Sequence, residues 1–80
     1  MRKESLNNYI NEITELFKDN AKRAKQDADK PGEGESLDFN TGFLMAYHEV
    51  IATMKNQAPI FHIDEKDIGL ADIEPERDLL

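Results

Sequence analysis

The chain has 80 residues, no cysteine and a formal net charge of −7. That is room for one domain with a modest core, and the missing thiols exclude disulfides and cysteine-based metal sites as a means of stapling it. No apolar run is long enough to span a bilayer and the polar N-terminus lacks a signal-peptide pattern, so the expectation is a soluble, cytoplasmic protein that gains stability by association.

Charge is unevenly placed. Residues 1–30 carry seven basic and six acidic side chains, a net of +1, whereas residues 31–80 carry three basic and eleven acidic ones, a net of −8. Phosphate would be repelled by the second part, which argues against nucleic acid as a direct ligand there.

The first element is an amphipathic helix over residues 5–29. Leu6, Tyr9, Ile10, Ile13, Leu16, Phe17, Ala21, Ala24 and Ala28 recur at helical spacing and fall within an arc of roughly 140° at about 100° per residue. Glu12, Glu15, Lys18, Asp19, Lys22 and Gln26 take the other side, where Glu15–Lys18 and Asp19–Lys22 are favourable pairs. Ser5 is suited to cap the start, and Pro31-Gly32 forbids continuation. Residues 30–37 then read as a loop of a length that joins antiparallel neighbours.

A second helix is expected over residues 39–58, capped by Asp38 and ended by Pro59. Its apolar positions (Phe39, Phe43, Leu44, Ala46, Tyr47, Val50, Ile51, Met54, Ala58) spread over roughly 160° of the wheel, too wide for one neighbouring helix to cover. A hairpin sets small Ala21, Ala24 and Ala28 beside large Phe39, Phe43 and Tyr47. Large facing small is how a close-packed layer fills. Residues 59–80 hold too many apolar side chains for a disordered tail. They read as an arm folded back over the hairpin, with one turn capped by Asp64 and closed by Gly69 and another opened by Glu74-Pro75.

No constellation of residues points to catalysis. His48-Glu49 lacks the second histidine a zinc-protease helix needs, because position 52 is Ala52; His48 reads as a boundary residue near Lys55. Glu12 and Glu15 have an E-x-x-E spacing, but the second helix offers only Glu49 to face them, so no metal is expected. No cofactor is implied. Lys18, Lys22, Arg23, Lys25 and Lys30 complement the negative end of the helix dipole and suit an acidic arm better than nucleic acid. Gly42 and Ala46 have the small-xxx-small spacing of a close helix crossing.

The expectation is therefore an all-α, non-enzymatic protein–protein interaction module: an antiparallel two-helix hairpin with a C-terminal arm, completing a four-helix bundle as a homodimer. The candidate interface is Phe43, Leu44, Tyr47, Val50, Ile51 and Met54, with Phe61 just beyond. The alternative is a small acidic inhibitor from a phage or other mobile element, presenting Asp72, Glu74, Glu76 and Asp78 to a larger enzyme. Whether the arm or a second subunit covers the surplus apolar surface of the second helix is left open.

Overall fold

A computed structural model of the chain describes residues 3–30 and 37–80. The expected loop falls largely on residues 31–36, outside the described residues. Helix α1 spans Lys3–Asp29 and helix α2 spans Leu37–Gln57, and no strand occurs among the described residues. Both helices begin earlier than the capping residues suggest. Ser5 lies inside the first turn of α1, and Asp38 is in the first turn of α2, where its carboxylate still complements the positive end of the dipole.

The two helices run antiparallel. Near the connection the Asn40 Nδ2 donates to the Asp27 carbonyl at 3.2 Å, and farther along the rings of Phe17 and Tyr47 meet edge to face with centroids 6.3 Å apart. Pro59 does not stop the chain from turning. Residues Ala58–Phe61 form a 3₁₀ turn that admits proline near its start, closed by His62 at φ 58° with Ile63 N–H returning to the Ala58 carbonyl at 2.9 Å. A second 3₁₀ turn, Glu65–Ile68, repeats the device: the Asp64 carboxylate accepts from Lys66 N–H, Gly69 takes φ +76°, and Leu70 N–H reaches the Glu65 carbonyl at 2.9 Å. Gly69 is needed twice over, for the left-handed φ and because a Cβ there would meet Asn11 Oδ1 at 3.3 Å and Thr14 Cγ2 at 3.4 Å. A single-turn helix α3, Pro75–Asp78, ends the arm.

These turns bring the arm back into the crevice between the helices. Leu70, Ile73 and Leu79 are fully buried and join Ala21, Ala24, Leu44 and Ile51 in one core, with Tyr47, Met54, Ile68 and Ala28 packed around it. The arm thus covers one side of α2, and Leu79, next to exposed Leu80, is as buried as any residue. No described helix is long and apolar enough to cross a membrane.

Several expectations are corrected by this packing. Surplus apolar surface is not confined to α2, since Leu6, Tyr9 and Leu16 of α1 stay exposed. Phe39 and Phe43 lie at the edge of the alanine layer, stacked on each other with centroids 6.1 Å apart, while Leu44 takes the central place. Gly42 is exposed with open space around it, so it marks no close crossing.

Candidate protein-interaction surface

Viewed along its axis, the hairpin has two broad faces, and the chain treats them differently. On the arm side two lysines act as clasps. Lys18, with only 3% of its side chain exposed, bonds Asp72 at 2.7 Å and Glu15 at 2.7 Å. Burial alone would push its ammonium down, but the hydrogen bonds it donates to Asp72 and Glu15 outweigh that and hold it above its ordinary value. The same bond holds the Asp72 carboxyl below its ordinary value. Lys55 of α2 donates to the carbonyls of Leu70, at 3.2 Å, and Ile73, and its ammonium lies 3.3 Å from Glu65 and 3.7 Å from Glu74. A lysine at this point satisfies backbone carbonyls that the arm would otherwise bury without donors.

The acidic set of the arm is largely occupied by these contacts. Asp72 is bound to Lys18 and Glu74 faces Lys55. Asp78 takes a two-point bond from Arg77, 2.8 and 2.9 Å, and accepts from Glu74 N–H at 2.9 Å. Those bonds, Arg77's first, pull its carboxyl down to about 2. Glu76 is exposed. Of the basic patch on α1, Lys18 binds the arm and Lys25 pairs with Asp29 at 2.9 Å.

The opposite face is open and apolar. By helical spacing, Tyr9, Ile13 and Leu16 of α1 and Phe43, Val50 and Met54 of α2 lie on the sides turned away from Lys18 and Lys55, which meet the arm. Tyr47 lies between the helices against Phe17. Exposure is large for side chains of this kind: Leu16 49%, Phe43 47%, Val50 42%. Near the connection a groove of about 360 Å³ runs between the helices, walled by Phe39, Phe43 and Tyr47 on one side and Asn20, Arg23 and Asp27 on the other. Clusters of exposed apolar side chains on small chains recur at protein-interaction sites.

The candidate interface residues are therefore divided between inside and outside. Leu44 and Ile51 point into the core and cannot reach a partner. Tyr47 and Met54 are half-buried at its rim, whereas Phe43 and Val50 face outward on the open side. Phe61 is 67% exposed on the turn after α2, at the other end of the molecule from Phe43.

Three interior polar groups hold the fold together; in the sequence Lys18 reads as part of a basic patch suited to an acidic arm, whereas Lys55 and Asn40 are left without a role. Lys55 sits four residues after Ile51 and three before Ala58, inside the buried stripe of α2; a cation in that position is a signal that it bonds something brought from elsewhere. Lys18 carries the same signal between Thr14 and Ala21. Asn40, nearly buried, ties α2 to α1. Two buried atoms, Thr14 Oγ1 and His48 Nε2, have no hydrogen-bond partner among the described residues. No group of three or more His, Asp or Glu side chains converges in metal-binding fashion among the described residues. No protein-family model matches the chain, and no curated protein or solved structure matches it either.

Proposed function

We propose that this chain is a non-enzymatic protein-interaction module that works as a homodimer, two hairpins meeting open face to open face to complete a four-helix bundle. The observation that carries the reading is the set of apolar side chains left exposed on both helices away from the arm, with Leu16, Phe43 and Val50 each more than two-fifths exposed. The arm has already covered one side of α2, so the exposed apolar side chains on the open side are a part of the sequence's apolar surplus that the chain does not cover for itself. The absence of catalysis in this reading is supported by where the perturbed charges lie. Lys18, Asp72 and Asp78 are bonded within the fold instead of converging on a cleft.

Gel filtration with light scattering over a wide concentration range tests it. A dimer of the 9.2 kDa chain is expected, and Phe43→Glu combined with Val50→Glu should leave a helical monomer that still melts cooperatively. A parent chain that stays monomeric at several hundred micromolar would refute the homodimer. The inhibitor alternative has weaker support, because three of its four carboxylates already face Lys18, Lys55 and Arg77.

A further inference from the structure

The open face also specifies how a second copy would lie on it, an inference that rests on the docking reading above. On α2 the outward positions are Phe39, Phe43, Ala46, Val50, Thr53 and Gln57, at steps of four, three, four, three and four. That is the spacing of a coiled-coil seam, and the α1 positions Tyr9, Ile13, Leu16, Asn20 and Arg23 follow the same alternation. The α2 seam is self-complementary when reversed about position 48. Phe39 then meets Gln57, Phe43 meets Thr53 and Ala46 meets Val50, each pair setting a larger side chain against a smaller or more pliant one.

Helix α1 carries an independent signal. From Glu4 to Asp19 it has four carboxylates and one ammonium, Lys18, which is engaged with the arm; from Lys22 to Asp29 it has three cations and two carboxylates. Its net charge therefore changes sign between positions 19 and 22. A copy aligned with both connections at the same end would stack cation on cation. A reversed copy lays Arg23 of one chain beside Glu12 of the other. Neither Glu12 nor Arg23 makes an ion pair with another described residue.

The fold joins the two signals. Phe17 lies against Tyr47 with centroids 6.3 Å apart, so the centre of the α2 seam and the start of the charge reversal on α1 stand at nearly the same height. From this coincidence we infer that a second copy of the chain docks antiparallel about a twofold axis passing near Phe17 and Tyr47, α1 over α1 and α2 over α2. The space suffices. Helix α2, 21 residues, is about 30 Å long at ~1.5 Å per residue, and the molecule is 21 Å broad. The projected face is then about 600 Å², and its ridged accessible area is of the order of the ~800 Å² per partner of a standard interface. Exposed ion pairs contribute little affinity, so their part here is to choose the orientation.

Spin labels on introduced cysteines test the arrangement, since the chain has none of its own. In the antiparallel dimer, labels at Asp19→Cys lie about 5 Å apart along the axis and labels at Gln26→Cys about 25 Å apart, from ~1.5 Å of rise per residue on each side of the centre. Strong dipolar broadening is expected for the first and a resolved long distance for the second. Broadening at both positions in a confirmed dimer would overturn the antiparallel arrangement and leave the docking reading intact; a monomer by light scattering would overturn both. As a second measure, Glu12→Arg should weaken the dimer about fivefold, from two equivalent pairs of about 0.5 kcal/mol, and adding Arg23→Glu should restore it. A double variant no tighter than the single would overturn the pairing.

Discussion

Replacing Lys55 with methionine keeps the aliphatic stem and removes only the ammonium. That group donates to the Leu70 and Ile73 carbonyls and faces Glu65 and Glu74, with 12% of the side chain exposed. Hydrogen bonds from a charged donor are worth about 1.5–3 kcal/mol each. The two carbonyls share one donor and some water reaches the site, so the sum is not additive; a loss of about 3 kcal/mol is expected. For an 80-residue chain with a total stability of roughly 4–12 kcal/mol, that is a large fraction. Urea denaturation followed by circular dichroism, at a concentration low enough to hold the oligomeric state constant, measures it. Limited proteolysis should show residues 59–80 cut first, because the lost donors all served the arm. A methionine variant within about 0.5 kcal/mol of the parent, with an equally protected arm, would refute the claim that Lys55 holds it down.

Leu79→Ala removes a fully buried side chain at the end of the arm and should cost about 2–5 kcal/mol in the same denaturation experiment, whereas Leu80→Ala, at an exposed position, should cost little. Gly69→Ala should destabilise by about 1–2 kcal/mol, since φ is +76° and the new methyl meets Asn11 and Thr14; a neutral result would mean the turn can relax. Acid should loosen the arm. The Asp72 and Asp78 carboxyls are held below their ordinary value of 3.8, Asp78 at about 2. Their contribution is therefore present above about pH 4 and is lost as pH falls toward 2. The Lys18 ammonium, held above 10.5, keeps its contribution below that value and loses it only as pH rises past the folded value. Arm protection measured by proteolysis from pH 6 down to pH 2 checks the sign, and protection that increased on acidification would contradict it.

Both helices and the punctuation of the arm were legible because each depends on neighbours in sequence. Apolar spacing near 3.6 residues places α1 and α2, Asp64 and Gly69 bracket one turn, and Glu74-Pro75 opens another. Helix starts were less legible, because Ser5 and Asp38 stabilise a first turn almost as well from within it as from the cap. The interaction surface was legible only as an excess. A wheel shows that α2 has more apolar arc than α1 can cover, but Leu44, Ile51, Phe43 and Val50 are equivalent in that description.

What separates them is the arm, which is a long-range choice. Sequence by itself determined that the chain is helical, that α2 carries surplus apolar surface and that the tail is too apolar to stay loose, since all three follow from local periodicity and composition. Only the tertiary structure decided that Leu70, Ile73 and Leu79 take the side of α2 bearing Lys55, turning Leu44 and Ile51 inward and leaving Phe43 and Val50 outside. The physical reason is that the choice of side was made by donors and acceptors far apart in the chain. Lys18 bonds across 54 residues to Asp72, and Lys55 reaches carbonyls 15 and 18 residues away. No periodicity records such pairs.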